Sequence, residues 1–104
     1  MPPRWIDVAA AHDLPRNTHR VYEIDGRFIA VYDVAGEHYA IEDVCTHDGN
    51  ALAEGPVEGL EVICPRHGAR FCLRTGAALS PPAYEPVTTF KVAVRDGRLC
   101  VQVD

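Results

Sequence analysis

Two cysteine–histidine pairs lie close together in the middle of this 104-residue chain. Cys45 and His47 form the pattern Cys-x-His, and Cys64 and His67 form the pattern Cys-x-x-His. A glycine follows each pair within two residues, which is typical of tight loops. Thiolate and imidazole groups bind zinc or iron–sulfur clusters rather than calcium or magnesium. The four side chains are therefore candidate metal ligands that two loops bring to one site.

The order of these ligands separates two kinds of metal site. Structural zinc sites with two cysteines and two histidines usually group like ligands in each half, whereas here each half carries one of each. The mixed order favours a two-iron cluster in which both cysteines bind one iron and both histidines bind the other. A zinc-binding interaction module with a Cys2His2 site is the alternative.

With these ligands the chain resembles the Rieske [2Fe–2S] family, whose motif is Cys-x-His, a spacer and Cys-x-x-His. The resemblance covers the chain from about Trp5 to Val103, and it implies one Rieske-type [2Fe–2S] cluster bound by the four candidate ligands. It also implies that a proline-bearing third loop, at Pro81 and Pro82, covers the cluster. Further matching positions are Leu52, Gly55, Cys64-Pro65, His67-Gly68, Phe71 and Thr75-Gly76.

The sequence on both sides of the ligands predicts antiparallel strands. Asp25-Gly26, between Val21–Ile24 and Arg27–Tyr32, is a strong signal for a two-residue hairpin turn. Glu37–Asp43 alternates apolar and polar residues and continues the meander. No segment favours a helix longer than a turn or two, so the predicted fold class is all-β.

A second hairpin is predicted at the end of the chain, where Asp96-Gly97 separates Thr89–Arg95 from Arg98–Val103. A two-residue turn at Asp96-Gly97 places Cys100 on the polar face of the hairpin, as a partly exposed thiol. We expect three cross-strand pairs on the apolar face: Val94 with Leu99, Val92 with Val101 and Phe90 with Val103.

Residues 44–84 differ from both flanks, because glycine and proline crowd this stretch and the alternation weakens. We therefore expect a single domain, residues 1–104, built as a Rieske-like antiparallel β-sandwich. A cluster-binding subdomain at about 44–84 would be inserted in a β base formed by about 4–43 and 85–103. Cys72 is predicted to be a small core residue. Arg66 and Arg70 are predicted to be solvated charges, and contact with a partner at the rim of the site is the alternative.

Composition narrows the class of function further. The formal net charge of −5 argues against nucleic acid as a partner. No apolar run approaches the roughly 20 residues of a membrane span, and the N-terminus lacks the apolar core of a signal peptide. We therefore expect a cytoplasmic protein whose four cysteines form no disulfides. The sequence does not determine the oligomeric state, and a monomer is the default expectation.

Departures from the family pattern narrow the resemblance to one branch. High-potential Rieske proteins have a membrane helix and an extra cysteine in each ligand loop, joined as a disulfide; Asn50 and Arg66 stand at those positions. They also carry hydroxyl donors where this chain has Ala69 and Phe71. Oxygenase subunits continue into a catalytic domain, whereas this sequence ends at Asp104.

The resemblance therefore implies a free-standing, low-potential Rieske ferredoxin, which is an electron carrier and not an enzyme. Its implied partners are a flavin-containing NAD(P)H-dependent reductase, which supplies single electrons, and a terminal aromatic-ring-hydroxylating oxygenase, which receives them. The small Rieske-type subunit of an enzyme similar to nitrite reductase is the alternative within the family.

Overall fold

The computed structural model describes residues 3–103, and its regular structure is almost entirely β, as the sequence predicts. Residues 1, 2 and 104, which the predicted domain bounds include, lie outside the described residues. Within the described range the helical structure is one 3-10 turn, Ala11–Asp13. The strands are β1 Arg4–Ala10, β2 His19–Ile24, β3 Arg27–Val34, β4 Glu37–Glu42, β5 Val57–Glu58, β6 Glu61–Ile63, β7 Arg70–Cys72, β8 Thr89–Phe90, β9 Val92–Arg95 and β10 Arg98–Val103.

These strands form three antiparallel sheets. The first has the order β1-β10-β9 and joins the two ends of the described chain, the second has the order β2-β3-β4-β8, and the third has the order β5-β6-β7. The third sheet lies in the sequence between two strands of the second. Within residues 3–103 no helix is long and apolar enough to cross a membrane.

Both predicted two-residue hairpin turns are confirmed. Asp25 and Gly26 have φ angles of 52° and 80°, and Asp96 and Gly97 have φ angles of 51° and 74°. A turn with positive φ at both central residues matches the right-handed twist of the flanking strands. Aspartate tolerates this left-handed conformation better than most residues, and glycine adopts it without strain.

The predicted register of the last hairpin is right near the turn, where Leu99 pairs with Val94 and Val101 pairs with Val92. The prediction fails farther from the turn. Phe90 lies in β8 and pairs with Ala40 of the second sheet, whereas Val103 pairs with Arg4 of β1.

Lys91 marks the point where the strand changes sheets. Its carbonyl oxygen accepts a hydrogen bond of 2.9 Å from the N–H of Gln102 in β10. The residues before Lys91 pair with β4 instead. A sequence pattern of period two cannot reveal such a crossing, because the alternation continues through it.

The prediction that Cys100 is partly exposed is wrong, since its residue is only 7% exposed. Its strand, β10, is the middle strand of the first sheet. Cys100 therefore lies opposite Asp7 on one side and Ala93 on the other, and directly opposed residues share a face of the sheet. Neighbours on both sides shield the thiol.

The second sheet is the middle layer of the molecule, because both of its faces are buried. In β3, Ile29 and Val31 face one core, and Ala30 and Tyr32 face the other. The first core lies against the first sheet; its buried members are Leu14, Ile24, Ile29, Val31, Ala40, Leu99, Val101 and Val103. The second core includes both candidate cysteine ligands; its buried members are Ala30, Tyr32, Ile41, Cys45, Leu52, Ala53, Val62, Cys64, Ala69, Phe71, Leu73, Ala83 and Val87.

Candidate metal centre

The first cysteine–histidine pair lies in a tight loop that follows β4. The N–H of Cys45 donates a 2.7 Å hydrogen bond to the carbonyl oxygen of Asn50, and the N–H of Gly49 donates one of 2.7 Å back to the carbonyl oxygen of Cys45. Gly49 has φ +77°, a conformation that residues with a Cβ rarely adopt. The glycine beside the ligands is therefore required by the shape of the loop.

The second pair lies in a loop of the same geometry between β6 and β7. The N–H of Cys64 donates to the carbonyl oxygen of Ala69 at 2.7 Å, and the N–H of Gly68 donates to the carbonyl oxygen of Cys64 at 3.0 Å. Gly68 has φ +76°. The two loops therefore hold their cysteines in equivalent backbone positions, although their histidines differ by one residue in spacing.

The four candidate ligands come together in two layers. Cys45 and Cys64 are 0% and 1% exposed, and their Sγ atoms lie within 4.8 Å of each other. His47 and His67 are exposed, their ring centroids are 5.4 Å apart with the rings nearly perpendicular, and a nitrogen of each lies within 4.8 Å of the other. The thiols form an inner pair and the imidazoles form an outer pair.

This separation distinguishes a two-metal site from a one-metal site. A single tetrahedral zinc ion would bring all four ligand atoms within about 4 Å of one another, as Zn–S and Zn–N bond lengths require. In residues 3–103 the thiols and the imidazoles instead fall into two separate sets. Two cysteines and two histidines, one pair for each iron, are the donor set of a Rieske cluster. The residues present fit that group.

Electrostatics at the inner pair also favour a metal. Burial raises the pKa of the Cys45 thiol, and the N–H groups of His47 and Asp48, which point at the sulfur, act in the opposite direction. A buried thiolate is unstable without a cation, and a metal that binds the sulfur supplies the missing positive charge. The two N–H groups would stabilise the negative charge that remains on the bound sulfur.

Two aspartates near the ligands escaped the sequence analysis. The Asp43 carboxylate accepts hydrogen bonds from the N–H groups of Leu52 and Ala53, at 2.7 and 2.8 Å, and so anchors the end of the first ligand loop. Asp48 has a carboxylate oxygen within 4.8 Å of the ligand atoms in both sets. The N–H of Asn50 lies 3.0 Å from this carboxylate and lowers its pKa. The position of Asp48 directly after His47 was the available signal.

The proline-bearing segment is connected to the first ligand loop. The hydroxyl of Thr46, between the two ligands of that loop, donates a 2.6 Å hydrogen bond to the carbonyl oxygen of Glu85. Glu85 follows Pro81 and Pro82 by only a few residues. This contact supports the predicted covering loop, which stays a prediction.

Other residues singled out in the sequence lie outside the ligand sets. Arg70 forms ion pairs with Glu58 and Glu61, at 3.1 and 3.3 Å, so it bridges the third sheet, and Arg66 is exposed. Cys72 is partly exposed and is not one of the buried core residues, so the prediction of a small core residue is wrong. None of the four cysteines forms a disulfide bond in the described part of the chain.

Comparison with known proteins identifies the family. Residues 4–91 match the model of the Rieske [2Fe-2S] domain, and the chain therefore belongs to the Rieske [2Fe–2S] family. Family membership supports one Rieske-type cluster in this chain.

The similar proteins within this family are ferredoxins of dioxygenase systems. The ferredoxin component of the naphthalene 1,2-dioxygenase/salicylate 5-hydroxylase systems of a Ralstonia species is 35% identical over 104 residues, with 100% of both chains covered. In the complex of reduced oxygenase and oxidized ferredoxin of carbazole 1,9a-dioxygenase, a chain is 39% identical with a TM-score of 0.87, covering 93% of this chain and 91% of that one. The Sphingomonas yanoikuyae B1 ferredoxin is 28% identical, has a TM-score of 0.87 and covers 97% and 100%.

Proposed function

We propose that this chain accepts single electrons from a flavin-containing NAD(P)H-dependent reductase and delivers them to a terminal aromatic-ring-hydroxylating oxygenase. It is a ferredoxin component of a ring-hydroxylating dioxygenase system, and it carries electrons without transforming a substrate. The relatives support the oxygenase as a partner, because solved structures of carbazole 1,9a-dioxygenase contain ferredoxin and oxygenase together. The reductase is the further part of the proposal.

We assign the cluster to Cys45, His47, Cys64 and His67, with the cysteines on the inner iron and the histidines on the outer iron. The observation that carries this assignment is the separation of buried thiols from exposed imidazoles. When bound, the cluster supplies one-electron redox chemistry. The cysteines anchor it in the second core, and the histidines present its other edge at the surface, where a partner protein can approach closely.

The remaining features of the proposal concern the whole chain. Residues 44–84 act as the cluster-binding subdomain, inserted in the β base of residues 4–43 and 85–103. The ferredoxin acts as a monomer. Its reduction potential is low, because Ala69 and Phe71, which are both 0% exposed, offer no hydroxyl group to the cluster. We place it in the cytoplasm, where a reducing environment maintains cysteines outside the ligand set, Cys72 and Cys100, as free thiols.

The ligand assignment is tested with His67→Ala and a matched control, His38→Ala. His38 also lies beside a carboxylate, with its Nε2 atom 3.4 Å from Asp33, but it is outside both ligand sets. We expect the native protein and the control to contain two irons and two sulfides per chain, with a Rieske visible and electron paramagnetic resonance spectrum. His67→Ala should lose the cluster and part of the folding stability, because metal binding and folding are coupled.

A colourless native protein with one zinc per chain would contradict the proposal and favour the Cys2His2 zinc module. The electron-transfer route is tested separately, by reduction of the loaded protein with NADH or NADPH. Reduction should require a flavin-containing reductase, and the reduced protein should be reoxidised by a terminal oxygenase with its substrate. Reduction at the same rate without a reductase would remove that partner from the proposal.

A further inference from the structure

Asp48 occupies a position that the ligand assignment does not explain. In residues 3–103, its carboxylate is shared by two groups of closely spaced metal-binding side chains. One contains Cys45 and Cys64, the other contains His47 and His67, and within each group the ligand atoms lie within 4.8 Å of one another. The carboxylate therefore lies beside both the inner and the outer ligand pair.

The orientation of Asp48 is held by its own loop. Its Oδ1 atom accepts a 3.0 Å hydrogen bond from the backbone N–H of Asn50, two residues later. An aspartate side chain in this arrangement closes a local turn, which restricts the positions its second oxygen can adopt. At neutral pH an aspartate is ionised, so the loop fixes a full negative charge next to the cluster site.

Asp48 is not needed as a ligand, because two cysteines and two histidines complete the donor set of a Rieske cluster. Asp48 can instead act on the cluster through its charge. Reduction adds one negative charge to the cluster, and a carboxylate close to the ligand atoms repels that charge, although solvent partly screens the repulsion. The carboxylate therefore stabilises the oxidised state relative to the reduced state.

We propose that Asp48 is a potential-setting residue, whose anchored carboxylate lowers the reduction potential of the cluster and so strengthens the ferredoxin as a donor to its oxygenase. This inference rests on the proposed ligand set. Because Asp48 is exposed and water screens its charge strongly, the repulsion corresponds to about a tenfold change in the equilibrium constant for one-electron reduction. A tenfold change for a one-electron couple is about 59 mV.

The test compares the cluster-loaded native protein with Asp48→Asn and Asp48→Glu by spectroelectrochemistry at one fixed pH near neutrality. Asparagine keeps an oxygen that can accept the Asn50 hydrogen bond, so the loop retains its turn. We expect Asp48→Asn to favour reduction about tenfold and Asp48→Glu, which keeps the charge, to remain close to the native value. High salt should reduce the difference between Asp48→Asn and the native protein, because screening weakens interactions at the surface.

Glu54→Gln is the matched control. It removes the same charge from an exposed residue that belongs to neither ligand group. An unchanged potential in this variant would assign the effect to the position of Asp48. A shift equal to that of Asp48→Asn would overturn the proposal, because net charge alone would then explain it.

A reduction potential in Asp48→Asn equal to that of the native protein would also overturn the proposal. So would loss or alteration of the Rieske electron paramagnetic resonance spectrum in that variant, because Asp48 would then be a ligand or a structural residue. These outcomes are distinct from failure of the proposed function. If the native protein itself lacked a Rieske spectrum, the cluster assignment would fail before any variant was compared.

Discussion

The backbone N–H of Gly76 donates a 2.7 Å hydrogen bond to the carbonyl oxygen of Cys72, the same bond that closes each of the two ligand loops. The N–H of Cys72 completes the pattern by donating to the carbonyl oxygen of Ala77 at 3.0 Å. Residues 72–77 thus form a third loop with the geometry of the ligand loops, but without a histidine. A cysteine in this loop type receives N–H groups at its sulfur whether or not it binds a metal.

Cys72 should consequently be a more reactive thiol than Cys100. Burial raises the pKa of the Cys72 thiol, but hydrogen bonds from the hydroxyl and N–H of Thr75 and from the N–H of Arg74 outweigh it and leave the pKa lowered. At neutral pH a lowered pKa increases the fraction of thiolate, which is the nucleophile. In the cluster-loaded protein, iodoacetamide should modify Cys72 first, as measured by peptide mass spectrometry. Thr75→Val should slow this reaction, and faster modification of Cys100 would contradict the prediction.

Replacing Gly76 should cost more stability than replacing Gly26, although both have φ +80°. A Cβ at position 76 would lie 2.1 Å from the carbonyl oxygen of Val87, whereas a Cβ at position 26 meets nothing within 4 Å. Left-handed strain of about 1–2 kcal/mol is common to both alanine variants. We expect Gly76→Ala to lose about 1–3 kcal/mol beyond that in urea unfolding, from the steric overlap. Equal losses in the two variants would show that the segment at Val87 yields freely.

Asp33 should make stability depend on acid pH. Burial raises the pKa of this carboxyl, but the N–H groups of Gly36 and Asn17 and the nearby His38 outweigh it and leave the pKa lowered. The ionised form therefore stabilises the fold above the unfolded pKa of about 3.9, and this contribution disappears as the pH falls through the folded pKa.

At pH 7, Asp33→Ala should lose about 1–3 kcal/mol of unfolding free energy, because two N–H groups lose their acceptor. The difference from the native protein should shrink below about pH 4. Glu23→Ala, at an exposed position of β2, is the control and should change stability by no more than about 0.5 kcal/mol. A loss that does not vary with pH would mean that packing, not charge, makes Asp33 important.

Hydroxyl groups added behind the cluster should raise its reduction potential. Ala69 and Phe71 are both fully buried beside the second ligand loop, and neither can donate a hydrogen bond from its side chain. A donor to a cluster sulfur stabilises the reduced state. We expect a native potential at the low end of the Rieske range, about −150 mV, and higher values in Ala69→Ser and Phe71→Tyr by voltammetry. A native potential above about +100 mV would contradict the low-potential assignment.

The local features of this chain were predictable from its sequence. Asp25-Gly26 and Asp96-Gly97 define their hairpins because the turn conformation depends on those residues themselves. The candidate ligands Cys45, His47, Cys64 and His67 were also recognisable, because their types and spacing form a distinctive motif. The structure brings these four side chains together, and the ligand roles themselves stay a proposal.

Features that depend on distant partners were decided only by the tertiary structure. Phe90 lies outside the last hairpin because its backbone pairs with Ala40 of β4. Cys100 is buried because β1 pairs with its strand, β10, on the side opposite β9. Asp48 reaches both ligand pairs only when residues 45–48 and 64–67 are folded against each other. In each case the environment of a side chain is set by contacts with segments far away in sequence, and no periodic pattern around the residue encodes them.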